Sequence, residues 1–200
     1  MRPVLVVMVK EPRPGQVKTR LGRQIGPVPA AWWYRHQCAQ VLRRLRDPRW
    51  QIVLAVAPDR AVRSRVWPGD LPRLPQGGGD LGQRMARLLG RSGPVCLIGS
   101  DIPALRRAHI ARAFALLGDH PAVFGPAADG GFWLVGARHP RRLPRDLFRG
   151  ARWSSEHALA DSLATLPGWR VALADRLHDV DTAADLRRQA VFRPGKRTGK

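Results

Sequence analysis

Apolar and polar positions along this chain switch repeatedly between two spacings. Val4 to Val9, Ile52 to Ala57 and Val95 to Ile98 are short, almost uninterrupted apolar runs. Such runs suit strands buried on both faces of a sheet. Between them the spacing becomes helical: Trp32, Tyr34, Cys38, Val41, Leu42 and Leu45 predict a helix over Val28 to Arg46, ended by Asp47-Pro48. A short Arg-rich helix is predicted near Asp59 to Val66, and Trp67 to Gly79, rich in Pro and Gly, should be loop. Asp80 is placed to cap a helix running to Leu89, and another is expected from about Ala104 to Leu117. Ala122 to Phe124 and Phe132 to Val135 flank a Gly-rich turn and read as a hairpin. A helix over Ser155 to Leu166, a strand over Arg170 to Leu173 and a short helix after Asp181 complete the pattern. Repeated β-α-β units predict an α/β fold: three layers, α/β/α, around a mixed, mainly parallel sheet. One domain over residues 1–190 is expected, with a basic tail over 191–200.

In such sheets ligands bind beyond the carboxyl ends of the strands, and the unusual residues fall there. The first strand runs into a loop carrying Lys10, Arg13, Gly15, Lys18 and Arg20, a composition suited to an anion. It is not a P-loop, because Gly15-Gln16-Val17-Lys18-Thr19 lacks the glycine before the lysine. After the third apolar strand comes Gly99-Ser100-Asp101-Ile102-Pro103. Asp101 could belong to a helix start opened by Pro103, or it could hold a divalent cation, since Mg²⁺ takes one or two carboxylates plus substrate phosphates. Asp129-Gly130-Gly131 is either a tight turn or a place where a ligand approaches the backbone and Asp129 meets a hydroxyl or metal. Phe132 and Trp133 could wall such a site, with at least one of them in the core. The run Gln76 to Asp80 joins glycines to a helix N-terminus, either a capped helix after a mobile loop or a reader of base or phosphate. Asp179-Val180-Asp181-Thr182 precedes a helix, and the Thr182 to Asp185 spacing fits a cap.

Composition narrows the classes. Two hundred residues, 44% hydrophobic and 25% charged, can bury roughly 70% of the unfolded surface in one domain. No apolar run approaches the length of a membrane span, and no signal peptide is evident, so a cytoplasmic location is expected with Cys38 and Cys96 as buried thiols. The formal charge of +20 will attract polyanions. The cations are nearly all arginines spread along the chain, which argues against a dedicated nucleic-acid module. There is no G-x-S-x-G, no zinc spacing, and Ser154-Ser155-Glu156-His157 forms no triad.

Taken in order, Lys10-x-Pro12-x-Pro14-Gly15-x-Val17-Lys18-Thr19-Arg20-Leu21, Asp80-Leu81-Gly82-x-Arg84-Met85, Ile98-Gly99-Ser100-Asp101-x-Pro103, Gly125-Pro126-x-x-Asp129-Gly130-Gly131 and Asp179-Val180-Asp181-Thr182-x-x-Asp185-Leu186 resemble a known set. The chain is similar, over about residues 3–190, to the GT-A-like bacterial transferases known as radical-SAM/selenodomain-associated glycosyltransferases. These are related to the phospholactate and molybdenum-cofactor guanylyltransferases. The resemblance implies a nucleotide-diphospho-sugar transferase fold, a nucleotide or nucleotide-sugar donor and Mg²⁺ or Mn²⁺. Carried over by position, Lys10, Arg13, Lys18 and Arg20 would hold donor phosphates, with Asp101 on the metal assisted by Asp181 or Asp179. Phe132-Trp133 departs from the tyrosines usual there, and Ala183-Ala184 from a usual Pro-Glu.

These expectations converge on a metal-dependent transferase, glycosyltransferase-like or, alternatively, a nucleotidyltransferase releasing pyrophosphate. Lys18, Asp101 and Asp129 are the catalytic candidates; Lys10, Arg13, Gly15, Arg20, Asp80, Gly130 and Gly131 are the substrate-binding ones. The acceptor is an unknown small molecule, and Arg138 to Arg152 is expected to face it if it is acidic. Two other classes stay open: a non-catalytic nucleotide-binding protein and a nucleic-acid-binding module.

Overall fold

The computed structural model describes residues 2–90, 93–178, 180 and 182–191. Seven strands form one sheet: β1 (Val4–Lys10), β2 (Gln51–Ala57), β3 (Arg73–Pro75), β4 (Val95–Ile98), β5 (Ala122–Pro126), β6 (Phe132–Ala137) and β7 (Val171–Leu173). Their order is β3-β2-β1-β4-β6-β5-β7. β6 is antiparallel to both its neighbours, while the other pairings are parallel. The helices are α1 (Thr19–Ile25), α2 (Pro27–Arg44), α3 (Leu81–Leu89), α4 (Arg107–Asp119), α5 (Ala158–Ala164) and α6 (Ala183–Val191).

Alternation along the strands divides the core in two. Leu5, Val7 and Val9 of β1 join Leu54, Val56 and Ile98 under Cys38, Val41 and Leu42 of α2 and Ile110 and Ala113 of α4. Val4 and Val6 join Val53, Leu97 and Phe124 under Met85, Leu88 and Leu89 of α3, with Leu159 and Leu163 of α5 packed alongside. Covering both faces explains why the strands read as continuous apolar runs. The result is the three-layer α/β/α fold with a mixed, mainly parallel sheet. No described helix is long and apolar enough to cross a membrane.

Four details differ from the sequence reading. The basic loop ends sooner than expected, because α1 starts at Thr19 and Leu21 is fully buried. Gly22 and Gly26 disguised this helix as loop. Gly22 lies against Pro27 and Ala30, so its missing side chain lets α1 and α2 pack closely. β3 forms inside the predicted Trp67 to Gly79 loop, stabilised by pairing with β2, a contact no local pattern announces. Pro103 opens a turn closed by Leu105 N–H donating to Ile102 O, and α4 begins only at Arg107, so Asp101 caps no helix. The helix predicted from Ser155 is shorter, beginning at Ala158.

The hairpin forms as expected, with β5 and β6 paired from Ala122↔Ala137 to Pro126↔Phe132. Of Phe132 and Trp133, Trp133 is the core residue expected of the pair. Trp133 is buried in the α2/α4 core and donates from Nε1 to Asp175 O, while Phe132 packs edge-on against Phe124 in the other core. Because β6 runs against its neighbours, its end at Ala137 lies beside Val95, at the amino ends of the parallel strands. Arg138 N–H donates to Pro121 O there. The segment Arg138 to Arg152 therefore begins at the sheet edge opposite Lys10 and Asp101. The tail expected at 191–200 lies, beyond Val191, outside the described residues.

Candidate active site at the strand exits

The exits of β1, β2, β3, β4 and β7 and the β5–β6 turn share one edge of the sheet. β1 sits between β2 and β4, so the chain leaves β1 at the point where the connections diverge to either side. There the loop after β1 folds back on itself. Glu11 N–H donates to Ala57 O, Arg13 N–H to Glu11 O and Gln16 N–H to Arg13 O. Val17, buried in the α2 core, anchors it.

Lys18 closes the loop in the left-handed conformation (φ 47°, ψ 48°) as the residue preceding α1. That backbone turns its side chain inward, where only 6% of it is exposed. Its Nζ lies 2.8 Å from Asp101 Oδ2 and 6.0 Å from the centroid of the Trp33 ring. Asp101 keeps 34% of its side chain exposed. Two sequence candidates from distant segments are thus in contact at the site, one cationic and one anionic. Ser100, buried beside them, hydrogen-bonds Asp101 Oδ1 at 3.3 Å and Tyr34 Oη at 3.0 Å. Tyr34 Oη in turn accepts from Lys10 N–H at 2.9 Å. Burial raises the Tyr34 hydroxyl well above its ordinary value, with Cys38 and Asp101 adding to the effect. Burial also pushes the Cys38 thiol up to about 12, despite its hydrogen bonds to Ser100 and Tyr34.

A cleft of about 520 Å³ opens at the exits of β1 and β2 on the same edge, lined by residues that include Lys10, Gln16, Asp59, Gly77, Gly78 and Arg84 but by neither Lys18 nor Asp101. The glycine run on its rim is tied down, contrary to the mobile loop considered from sequence. Gln76, buried, donates from Nε2 to Val9 O and Ala55 O, stitching β1 to β2. Gly77 N–H donates to Asp59 Oδ1, and Arg87 donates to Gln76 O and Gly78 O. Asp80 accepts from Gln83 N–H at 2.8 Å, and Gln83 Oε1 accepts from Asp80 N–H, so this carboxylate caps α3.

The remaining candidates are more dispersed. Arg13 is exposed and paired with Glu11 at 2.6 Å. Arg20 is exposed on α1, and Gly15 holds a positive φ of 75° with open space around it. Asp129 Oδ1 accepts from Gly131 N–H at 3.0 Å, closing the hairpin turn, while Gly130 presses on the main chain of Glu156. Asp179 and Asp181 lie outside the described residues. Val180 N–H donates to Asp101 O at 3.3 Å, and Thr182 and Asp185 form the expected cap on α6. Tyr34 and Asp59 were missed as site residues by sequence reasoning, and Gln76, named in the glycine run, turns out to join β1 to β2. Tyr34 sits on the apolar stripe of α2, where an aromatic reads as core, and its hydroxyl was the available signal.

Among the described residues no group of three or more His, Cys, Asp or Glu could by itself hold a metal. One carboxylate at a strand end is nevertheless a fitting donor for a cation whose other ligands are phosphate oxygens. The ammonium of Lys18 against Asp101 Oδ2 shows that the position accepts positive charge.

A candidate nucleotide-diphospho-sugar transferase from Desulfovibrio desulfuricans G20 superposes with a TM-score of 0.85 at 29% identity, covering 99% of this chain and 90% of its own. Rv0371c from Mycobacterium tuberculosis H37Rv, solved with manganese, gives 0.52 at 17% identity, covering 96% of this chain and 100% of its own. CMP:2-keto-3-deoxy-manno-octonic acid synthetase, solved with CTP, gives 0.55 at 12%, with 96% and 98% covered. At such low identity the last two bear on the fold alone. No curated protein matches the chain. Residues 40–155 match a family described as "Uncharacterized protein conserved in bacteria (DUF2064)", a span holding Asp80, Asp101 and Asp129 but not the loop of Lys18. With more than half of its length matched, the chain belongs to the DUF2064 family.

Proposed function

We propose that this chain is a transferase whose donor is a nucleotide-sugar or a nucleoside triphosphate, with the donor phosphates held between the loop of Lys18 and Asp101. The contact between Lys18 and Asp101 at the diverging exits of β1 and β4 carries this reading. The names of the structural relatives support the donor class, and the basic loop supports the anion.

Lys18 neutralises phosphate charge from a fixed position, since its stem is buried and its backbone set by α1. Lys10, Arg13 and Arg20 add positive potential around it, and the turn at Gly15 lets the loop close over an anion. Asp101 would hold Mg²⁺ or Mn²⁺, with Asp179 or Asp181 as the further candidates. When bound, that ion offsets charge developing on the leaving phosphate. Asp129 would present a carboxylate oxygen to a donor hydroxyl at the same edge, with Gly130 and Gly131 shaping the turn that carries it. Asp80 acts through the α3 terminus it caps.

Glycosyl transfer is the leading reading, in keeping with the radical-SAM/selenodomain-associated transferases the sequence resembles. The fold shared with a CTP-binding synthetase favours nucleotidyl transfer as the second. A thermal-shift panel of nucleotides and nucleotide-sugars with Mn²⁺, followed by product identification, separates them. Release of a nucleoside diphosphate marks the first and pyrophosphate the second. Asp101→Ala should abolish Mn²⁺-dependent donor binding; binding equal to that of the unaltered chain would sink the assignment.

A further inference from the structure

Three hydrogen bonds connect the exit of β1 to the carboxylate at the exit of β4. Lys10 N–H meets Tyr34 Oη at 2.9 Å, Tyr34 Oη meets Ser100 Oγ at 3.0 Å, and Ser100 Oγ meets Asp101 Oδ1 at 3.3 Å. The two ends fix the direction of the whole chain. A main-chain N–H can only donate and an ionised carboxylate can only accept. Tyr34 Oη, receiving the Lys10 proton, therefore gives its own to Ser100 Oγ, and Ser100 gives its own to Asp101. Tyr34 and Ser100 are both buried, so no bulk water competes for these bonds. Burial keeps the neighbouring Cys38 thiol protonated, and its single S–H can donate to one of these hydroxyl oxygens without reversing the order. Lys18 occupies the other carboxylate oxygen, Oδ2.

The geometry points to Tyr34 as a positioning residue that, acting through Ser100, sets the orientation of the Asp101 carboxylate for a divalent cation. This rests on the function proposed above, in which Asp101 meets the metal. Tyr34 touches neither donor nor ion in that arrangement. It locks the Ser100 hydroxyl, which locks Oδ1, and so leaves Oδ2 directed at the cations. It also ties that orientation to the main chain of Lys10, so the basic loop and the carboxylate are set by one relay. Partners behind a metal ligand of this kind typically change metal affinity by about 10- to 100-fold when removed.

The test is Mn²⁺ binding by the full chain without donor, followed by electron paramagnetic resonance of the free ion, with circular dichroism and melting to confirm folding. Tyr34→Phe and Ser100→Ala should each weaken binding about tenfold. The double variant should be no weaker than Ser100→Ala, because both cut one relay, and Ser100→Thr, which keeps the hydroxyl, should restore affinity. Effects that merely loosen the core would add between the two sites and would not be rescued by Thr. Near-native Mn²⁺ affinity in a folded Tyr34→Phe, or additive losses, would overturn the positioning role while leaving the proposed function standing. If the unaltered chain binds no Mn²⁺, with or without nucleotide, the proposed function falls and this role falls with it.

Discussion

Lys18 carries two demands at once. Its left-handed backbone costs about 1 kcal/mol for a residue with a Cβ, and its ammonium faces Asp101 from a nearly enclosed position. Charge-assisted contacts of this type are worth roughly 1.5–3 kcal/mol each. Lys18→Met should therefore lower turnover of the donor by about one to two decades while the melt stays cooperative. Unchanged kcat/KM with the donor identified in the nucleotide panel would remove Lys18 from the machinery. The sequence announced the residue through its charge after a buried strand. It could not announce Tyr34, because position on an apolar helical stripe is shared by every core aromatic, and only tertiary contacts reveal what the hydroxyl meets.

At the level of elements, glycine-bearing turns set how the site is framed. Gly130 has a φ of 85°, and a Cβ there would collide with the Glu156 main chain. Gly15 has a φ of 75° but nothing within 4 Å of such a Cβ. Gly15→Ala should thus cost about 1 kcal/mol in strain, whereas Gly130→Ala should cost at least about 2 kcal/mol, because backbone must also move. Urea-unfolding midpoints of the two variants check the order, and equal losses would contradict the crowding argument. The hairpin carrying Gly130 was legible in advance: two apolar runs flank a turn sequence too short for a crossover helix. Asp80 was legible too, as the cap of α3 that its position announced. β3 and α1 were not. Arg73, Leu74 and Pro75 become a strand only because β2 lies alongside, and α1 needs Leu21 buried to outweigh Gly22.

For the molecule as a whole, charge balance sets the acid limit. Thirty-five cations face fifteen carboxylates, so each carboxylate protonated leaves a net charge already at +20 less opposed. Asp47 is held at about 2, chiefly by its hydrogen bond from the Arg49 side chain. The Arg152 side chain holds Asp161 well below the usual range, and the Arg46 side chain lowers Asp70. Folded values lower than the unfolded one near 3.9 mean that these groups stabilise the fold fully above about pH 5. That contribution fades as pH falls through the folded values. Stability should fall from about pH 5 to pH 2, by an amount limited by solvent screening of these exposed pairs, and Asp161→Asn should be less stable at neutral pH yet show a shallower acid slope. Denaturation midpoints against pH at constant ionic strength test this; a slope identical to that of the unaltered chain would count against it.

The two outermost strands, β3 and β7, are three residues each. β3 ends in Pro75, which offers no N–H, and its Arg73 is turned to the carbonyls of Val62, Ser64 and Pro68. β7 exposes Leu173 on an otherwise open rim. A passing strand would find too few main-chain groups in line to dock at either border. Apolar strands that would template fibrils if left bare are thereby sealed in the middle of the molecule. Resistance to self-assembly is written into where the sheet stops.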